Sequence, residues 1–300
     1  MTETPLFFKS HRLILETQAL LISLMMLLSI STCFAQSAEE SSYQQKRIIA
    51  LAPHLTELVF LLGLGDSLVG VSDYSDYPEI ANSIPRVASY QGANLAEILR
   101  LKPTHILVWK GGNKDTDIAK LIDTKIPLFQ SSIANLDELV EDIASLGDFL
   151  GSPEEALAVI QDINKTLDSI SRSSPATRSS AATRSSAATA VYVLSYTPLR
   201  GLGNDAWLNS LLNLCGLQNQ YRNSEQAFPA LDLSKLLRTS PDFVISSSSN
   251  KKQATDFWSK HSQVFGSTII YVDPDAMHRF TPRAVYETKR LCEQVQTLAP

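Results

Sequence analysis

The chain has 300 residues, of which 44% are hydrophobic, 8% aromatic and 19% charged, an ordinary globular composition that excludes a wholly disordered or collagen-like protein. Its 31 Asp and Glu residues outnumber its 26 Lys and Arg residues, giving a net charge of −5, whereas a nucleic-acid-binding protein usually carries a basic excess. Three cysteines are too few for a disulfide-rich scaffold, and the length accommodates two domains of typical size.

Residues 1–35 have the pattern of a secretory signal peptide. Two basic residues, Lys9 and Arg12, precede an apolar run over residues 19–30, and small residues follow up to a cleavage site after Ala35. The apolar run is shorter than the roughly 20 residues that a bilayer-crossing helix needs. We therefore predict that the chain is exported and that the signal is removed.

The first half of the remaining chain, residues 46–150, alternates short apolar runs with helical patterns. Strands are predicted at 47–51, 69–72 and 105–109, and a helix ends at Gly63. Strands that alternate with helices indicate a parallel sheet covered on both faces. This half is therefore predicted to form an N-terminal α/β lobe.

A long helix is predicted over residues 151–172. Ser152 caps it, Pro153 occupies its first turn and Glu155 completes a capping box. At about 1.5 Å per residue, such a helix is a rod about 30 Å long, which suits a connection between two lobes. Residues 173–189 then contain a tandem Ala-Thr-Arg-Ser-Ser-Ala repeat without a large apolar residue, and this segment is predicted to be a low-complexity insertion.

A repeated motif relates the two halves of the chain. Residues 95–107 and residues 233–245 each have the pattern of a short helix, a proline-containing turn and a buried strand. Pro103 and Pro241 end the helix in the two copies, because proline cannot continue it. Residues 190–300 are therefore predicted to form a second α/β lobe similar to the first.

The cysteines are consistent with one disulfide. If cleavage follows Ala35, Cys33 leaves with the signal, and Cys215 and Cys292 remain as a pair. A pair in an oxidising compartment favours a disulfide, with two buried free thiols as the alternative. A lipid-anchored form through Cys33 is less favoured, because Thr32 before it fits a lipidation site poorly.

Several motifs place the chain near a known family. The chain resembles the class III, or helical-backbone, periplasmic substrate-binding proteins over about residues 46–298, and within that family the cobalamin-binding components of ABC importers. The stretches that carry the resemblance are Ser75-Asp76-Tyr77-Pro78, Tyr90-Gln91-Gly92-Ala93-Asn94-Leu95, Leu101-Lys102-Pro103, Trp109-Lys110-Gly111-Gly112-Asn113, Leu214-Cys215-Gly216, Ser240-Pro241, Thr281-Pro282-Arg283 and Leu291-Cys292.

This resemblance implies an α/β fold of two doubly wound lobes joined by one long rigid helix, with a ligand cleft between the lobes. It also implies a monomeric periplasmic protein without catalytic activity, covalent cofactor or bound metal, which carries cobalamin or a related corrinoid to an inner-membrane ABC permease. The two cysteines of the family form a disulfide, which agrees with the pairing of Cys215 and Cys292.

Six residues are predicted to line the cleft. A corrinoid is broad, flat and mostly apolar, so its site needs aromatic walls and a few polar anchors, and open α/β sheets bind ligands at the carboxyl ends of their strands. Matched to the family, the predicted ligand-binding residues are Tyr74, Tyr90, Trp109, Phe228, Asp275 and Arg279. The alternatives without a ligand are core packing for the four aromatic rings and a surface salt bridge between Asp275 and Arg279.

The contacts with the permease are predicted to be atypical. Relatives present one surface Glu on each lobe, but the matching positions here are Ala96 and Ser234. Glu97 and Asp232 lie close by and are the candidate docking residues, although a shift of one residue turns a helical side chain by about 100°. Either the permease has changed in step, or the protein acts without the standard transporter, as an exported sensor or interaction protein.

Two other functions are weighed against corrinoid binding. A haem or ferric-siderophore binder of the same fold is the alternative, with His54 and His278 as the histidines placed to face the cleft. The net charge of −5 and a single matched cleft arginine do not favour an anionic chelate. No nucleophile elbow, metalloprotease motif or phosphate-binding loop supports an enzyme.

Overall fold

A computed structural model describes residues 46–173, 187–261 and 266–298. The predicted signal peptide and Cys33 lie outside these residues, as does most of the predicted insertion. The chain divides into two units between Lys46 and Arg47, and every element described below belongs to the second unit, which is compact.

The second unit alternates helices and strands, as the sequence predicts. Its α-helices are α1 Pro53–Leu61, α2 Leu95–Arg100, α3 Asp115–Asp123, α4 Leu136–Leu150, α5 Pro153–Ser173, α6 Ala206–Leu214, α7 Leu233–Thr239, α8 Lys251–Ser259, α9 Pro274–Met277 and α10 Pro282–Leu298. Its strands are β1 Ile48–Ala50, β2 Leu68–Ser72, β3 Arg86–Ser89, β4 Gly92–Ala93, β5 His105–Trp109, β6 Leu128–Ser131, β7 Ala188–Tyr196, β8 Leu199–Gly201, β9 Leu217–Asn219, β10 Phe243–Ser246 and β11 Thr268–Tyr271.

The first sheet has the strand order β4-β3-β2-β1-β5-β6. All its neighbouring strands run parallel except β4, which is antiparallel to β3. Ala50 of β1 pairs with Val71 on one side and with Leu107 on the other. The chain order reverses between β1 and β5, which is the topological switch point of a doubly wound sheet. We call the part of the molecule built on this sheet the N-lobe.

The second sheet has the order β11-β10-β7-β8, and β9 also pairs with β7. Strands β11, β10, β7 and β9 run parallel, whereas β8 returns from β7 as an antiparallel neighbour. The part built on this sheet is called the C-lobe. The prediction of two α/β lobes with doubly wound sheets is thus confirmed.

Helix α5 lies between the lobes and has 21 residues, so it is a rod of about 30 Å. It contacts α4 of the N-lobe and α10 of the C-lobe, and it buries Ala156, Ile163 and Ile170 along one stripe. Gly151 ends α4 with a φ of 65°, a left-handed conformation that glycine adopts without cost and that turns the chain directly into α5.

The two lobes share a continuous apolar core. One cluster of buried side chains includes Leu107 of the N-lobe, Ile163 of α5 and Phe243 of the C-lobe. Because these side chains are packed in one cluster, moving one lobe relative to the other would expose apolar surface. This packing accounts for Arg47–Pro300 forming a single compact unit.

The repeated motif is confirmed. Each copy forms a short helix that leads through a proline-containing turn into a central strand, α2 into β5 and α7 into β10. The caps are equivalent as well, since Asn94 accepts a hydrogen bond from the Glu97 amide and Asp232 accepts one from the Lys235 amide. Asn and Asp are favoured at this position because their side chains satisfy a free backbone N–H of the first turn.

Cys215 and Cys292 are bonded to each other, with an S–S distance of 2.01 Å and a Cα–Cα distance of 4.6 Å. Cys215 directly follows α6, and Cys292 lies within α10. The bond therefore fixes α10, which packs against α5, to the body of the C-lobe.

The segment between α5 and β7 is shorter than the predicted insertion of residues 173–189, because Ser173 is the last residue of α5 and Ala188 is the first residue of β7.

Candidate ligand cleft

Three of the predicted aromatic residues lie at the carboxyl ends of N-lobe strands. Tyr74 follows β2, Tyr90 follows β3, and Trp109 is the last residue of β5. Because these strands are parallel, their carboxyl ends share one edge of the sheet. With about 4.8 Å between neighbouring strands, this edge extends about 14 Å from β3 to β5, a length that suits a broad, flat ligand.

Two of these rings project into solvent. Tyr74 is 74% exposed and Tyr90 is 84% exposed, which excludes core packing for both. On the C-lobe, Phe228 is 45% exposed and lies on a segment that runs beside β8, where the Gly201 amide donates to the Pro229 carbonyl. All three rings are therefore accessible to a ligand, and their contact with one stays a prediction.

The position of Tyr90 is fixed by the hairpin between β3 and β4. Asp117 accepts a hydrogen bond of 2.9 Å from the Ala93 amide, and Lys114 donates one of 2.5 Å to the Gln91 carbonyl. Gly92 has a φ of 131° and no room for a side chain, because a Cβ there would lie 2.7 Å from an Asp117 carboxylate oxygen. Hydrogen bonds thus fix the hairpin to α3 and to Lys114 directly before it, and they hold Tyr90 at the tip of the hairpin.

The position of Tyr74 depends on a turn with a positive φ. Tyr74 has a φ of 62°, which is uncommon for a residue with a side chain and is found where the surroundings enforce it. The buried Ser75 hydroxyl accepts a hydrogen bond of 3.0 Å from Thr56, and Arg86 donates one of 2.7 Å to the Ser75 carbonyl. These bonds hold the turn from the inside and direct the Tyr74 ring outward.

Trp109 is half-buried and packs between the lobes. Its ring contacts His54 edge-on at 5.5 Å and Phe280 of the C-lobe at 5.5 Å, both measured between ring centroids. Phe280 also contacts Trp207 at 5.0 Å. Edge-to-face pairs of this kind are favourable beyond the area they bury. The structure therefore places Trp109 in an inter-lobe aromatic cluster at the end of β5, where it remains partly exposed. Its contact with a ligand stays a prediction.

A second inter-lobe cluster is ionic and centres on Glu57, which is 2% exposed. Arg279 and Arg283 of the C-lobe reach the same Glu57 carboxylate oxygen at 2.8 Å and 3.0 Å. Arg279 also lies 2.8 Å from Asp76, and the Arg283 guanidinium lies 3.9 Å from the centre of the Tyr77 ring. Burial raises the pKa of Glu57, and the hydrogen bond from Arg279 and the charge of Arg283 oppose that rise.

This cluster defines which edges of the sheets face each other. Glu57 and Asp76 follow β1 and β2, whereas Arg279 and Arg283 follow β11. Each side chain thus comes from the carboxyl-terminal edge of its own sheet, so both edges meet at the inter-lobe region. Crevices at such edges are where open α/β sheets bind ligands, and the exposed Tyr74 lies two residues before Asp76.

The comparisons with known proteins agree with this geometry. The family model for the periplasmic binding proteins matches residues 48–264. The chain belongs to this family. It is 30% identical over 282 residues to the vitamin B12-binding protein of Yersinia pseudotuberculosis serotype O:1b, a match that covers 92% of this chain and 93% of the relative.

Solved structures show the same fold. The periplasmic vitamin B12 binding protein BtuF of Vibrio cholerae superposes with a TM-score of 0.73 and 29% identity, covering 84% of this chain and 97% of that one. The periplasmic heme binding protein HutB of Vibrio cholerae superposes with a TM-score of 0.70 and 18% identity, covering 86% and 100% of the two chains. With two lobes joined by α5, this periplasmic binding protein has the helical-backbone, or class III, form of the fold.

The two polar residues predicted for the cleft have different surroundings in this periplasmic binding protein. The Arg279 side chain is 10% exposed and is held by Glu57 and Asp76. The Asp275 side chain is 65% exposed and lies 3.5 Å from Arg279. Asp275 is therefore open to a ligand, while Arg279 acts first as a link between the lobes. A ligand contact of either residue stays a prediction.

Glu57, the centre of this link, is not among the site residues predicted from the sequence. Its one local signal was a carboxylate in an otherwise apolar helix, between Leu55 and Leu58, because a fully buried Glu is rare unless it is paired. That signal indicates a buried partner without identifying it.

The candidate docking residues lie at the N-terminal ends of the equivalent helices α2 and α7, Glu97 in the first turn of α2 and Asp232 as the cap of α7. The Glu97 carboxylate of α2 accepts hydrogen bonds of 2.5 Å and 2.8 Å from Arg100, and Asp232 caps α7 through the Lys235 amide. Both side chains thus already have partners within their own lobe. Their role in binding a permease stays a prediction.

His54 and His278 have different surroundings. His54 is 3% exposed and packs against Trp109 and Phe280, so it does not face the cleft. His278 is exposed, and its Nε2 atom lies 3.0 Å from the Tyr192 hydroxyl.

Within the described ranges, no cluster of His, Cys, Asp and Glu side chains has the geometry to hold a metal ion. No helix in those ranges has both the length and the apolar composition needed to cross a bilayer.

His54 belongs to a buried chain of hydrogen bonds. Its Nε2 atom lies 3.3 Å from the Ser131 hydroxyl, which donates a bond of 3.0 Å to Asp142 of α4. Burial lowers the pKa of His54 to about 3, and burial raises the pKa of Asp142 to about 6 against the hydrogen bond from Ser131. The imidazole is thus neutral at neutral pH, and because Ser131 donates to Asp142, His54 donates to Ser131.

We expect the variant Asp142→Asn to lose stability more steeply than the wild type as the pH falls from 6 to 4. His54 has a pKa of about 3 when folded, against an ordinary 6.5, so acid favours unfolding through His54. Asp142 has a pKa of about 6 when folded, against an ordinary 3.8, so acid favours folding through Asp142 over the same range. The two contributions cancel in the wild type, and without Asp142 the His54 contribution of about 1.4 kcal/mol per pH unit acts alone.

The measurement is the free energy of unfolding in urea at pH 4, 5, 6 and 7. Asp148→Asn on the same helix is the matched control, because Asp148 is exposed and its variant should follow the wild-type pH dependence. Parallel curves for the wild type and Asp142→Asn would show that the two buried groups are not balanced in this way.

Proposed function

We propose that this protein is a periplasmic solute-binding protein that captures cobalamin or a related corrinoid and delivers it to an ABC importer. Two observations together support the proposal. Tyr74 and Tyr90 are exposed at the switch-point edge of the N-lobe, and the chain is similar over nearly its full length to proteins named vitamin B12-binding protein. The protein acts as a binding component and a monomer, without catalytic residues.

The chemistry of the cleft suits a corrinoid. The corrin ring is wide and largely apolar, and the exposed rings of Tyr74 and Tyr90 from one lobe and Phe228 from the other offer flat apolar surface to it. Its edge carries neutral amides, and the exposed Asp275 carboxylate is an acceptor for their N–H groups. The aromatic and ionic inter-lobe clusters keep these two surfaces at a fixed separation, so ligand binding requires little rearrangement of the lobes.

Export and delivery complete the proposal. The signal peptide predicted over residues 1–35 would direct the chain to the periplasm, where the bond between Cys215 and Cys292 is stable. Delivery would use the equivalent ends of α2 and α7, with Glu97 and Asp232 as the docking side chains.

Titration with cyanocobalamin tests the proposal directly. We expect a heat signal and a shift of the visible corrin bands at micromolar protein, and Tyr90→Ala is expected to weaken the affinity about tenfold. Tyr90 is 84% exposed, so the substitution removes ligand contact without disturbing the core. The absence of binding by the wild-type protein would refute the function.

The matched control for that experiment is Tyr286→Ala. Tyr286 is also an exposed tyrosine, at 42%, but it lies on α10 and donates a hydrogen bond to Asp162 of α5. This variant should bind cyanocobalamin like the wild type. An equal loss of affinity in both variants would show that Tyr90 does not contact the ligand.

A haem-binding protein of the same fold is the alternative. The observation in its favour is the exposed His278 in the segment between α9 and α10, since an imidazole is a common iron ligand. A parallel titration with hemin distinguishes the two, because a shifted Soret band without any change in the cyanocobalamin spectrum would reverse the assignment.

A further inference from the structure

An arginine that the proposed site does not use lies beside one of its predicted walls. Arg200 is in β8 and is exposed, and its Nη1 atom donates a hydrogen bond of 3.0 Å to the Phe228 carbonyl. The backbone of Arg200 also forms a bridge with Ala230. The guanidinium is thus held next to the Phe228 segment.

The strand geometry places Arg200 on the face of the C-lobe sheet opposite to α7 and α8. Its neighbour Leu199 packs against the buried cluster that includes Tyr196, on the side of the sheet covered by α7 and α8. Because successive side chains of a strand point to opposite faces, Arg200 points to the other face. That face of β7 carries Tyr192, whose hydroxyl reaches the exposed His278, two residues from Phe280 in the inter-lobe region.

The charge of Arg200 has no acidic partner in the described parts of the chain. The other arginines at the inter-lobe region are neutralised, since Arg279 pairs with Glu57 and Asp76, and Arg283 pairs with Glu57. Arg200 instead uses one N–H on a backbone carbonyl and keeps its other donors available. A guanidinium with free donors is suited to a planar, two-pronged contact with a carboxylate or phosphate.

We propose that Arg200 binds the phosphodiester in the nucleotide loop of a complete corrinoid and thereby makes the site prefer corrinoids that carry this loop. This inference rests on the proposed function. The corrin ring itself offers neutral amides, and its one anionic group in cobalamin is that phosphodiester at the ring periphery. A guanidinium without an acidic partner in the described parts of the chain, beside a predicted ring-binding wall, matches the single anion at the edge of the ligand.

The test compares cyanocobalamin with dicyanocobinamide, a corrinoid that lacks the nucleotide loop. Both are titrated against the wild type, Arg200→Gln and Arg222→Gln. The control removes the same charge from the same lobe, at a residue whose guanidinium also donates to a backbone carbonyl, that of Asn219. We expect Arg200→Gln to weaken cyanocobalamin binding at least tenfold and to leave dicyanocobinamide binding within twofold, whereas Arg222→Gln changes neither.

The outcomes separate this inference from the proposed function. Equal losses for both ligands, or no loss for either, would overturn the role of Arg200 while leaving corrinoid binding in place. A wild-type protein that binds neither ligand would overturn the function itself. If Arg200→Gln unfolds at a lower temperature than the wild type, Arg200→Lys provides the second variant, which keeps the charge and should retain part of the preference for cyanocobalamin.

Discussion

Substituting Glu57 by Ala is expected to lower the free energy of unfolding by about 3–5 kcal/mol. The substitution leaves Arg279 and Arg283 without their shared carboxylate, and their side chains are only 10% and 19% exposed. Removing one partner of a buried ion pair costs this much because the remaining charge is neither solvated nor compensated. Asp76 and Asp273 compensate only in part, since they lie 2.8 Å and 3.8 Å from the two guanidinium groups.

Urea unfolding of the wild type, Glu57→Ala and Glu293→Gln measures this effect. Glu293 pairs with Lys289 on the surface of α10, where both side chains are about half exposed, so its variant should lose less than about 0.5 kcal/mol. A loss for Glu57→Ala no larger than that of Glu293→Gln would mean that the inter-lobe cluster contributes nothing to stability.

The loss should also appear in ligand binding. Glu57 joins the N-lobe to the segment that carries Asp275, and the same segment contains Phe280, which packs against Trp109. Without Glu57, the separation of the two sheet edges depends on the Arg279–Asp76 pair, the aromatic cluster and the shared apolar core. We therefore expect weaker binding of cyanocobalamin by Glu57→Ala, because the site then has to be ordered when the ligand binds.

The fold was predictable because its signals are local. The alternation of strands and helices, the helix start after Ser152 and the turns at Pro103 and Pro241 each depend on a few residues, and these elements begin and end within about two residues of where the sequence places them. The capping box predicted at Ser152 stays a prediction, although the helix does begin at Pro153. The repeat predicted the overall arrangement of the chain, because two similar segments on either side of α5 indicate two similar lobes.

The site was predictable only in part. Parallel strands share an edge, so the common location of Tyr74, Tyr90 and Trp109 follows from the order of the strands. Which of these rings is open to solvent depends on tertiary contacts, such as the turn at Tyr74 and the contact of Trp109 with Phe280. The Glu57–Arg279 pair spans 222 residues, and no local pattern in one sequence identifies a partner at that separation.

The second large effect is expected from removing the disulfide. The double variant Cys215→Ala/Cys292→Ala should lower the free energy of unfolding by about 4 kcal/mol, because the bond closes a loop of 77 residues and so restricts the unfolded chain. Both positions are buried, at 4% and 2% exposure, so alanine is the suitable replacement because it introduces no buried hydroxyl as serine would. The small cavity left by the two sulfur atoms adds to the loss.

Unfolding in urea with and without a reductant distinguishes the contribution of the bond from that of the lost sulfur atoms. Reduction should destabilise the wild type to about the level of the double variant and leave the double variant unchanged. A wild-type curve that does not respond to complete reduction would contradict the prediction. The bond fixes α10 to the end of α6, and α10 contacts α5 and carries Arg283 of the ionic cluster. When Glu57→Ala is combined with the double cysteine variant, the free energy of unfolding should therefore fall by less than the sum of the two separate losses, since both changes act on the same helix.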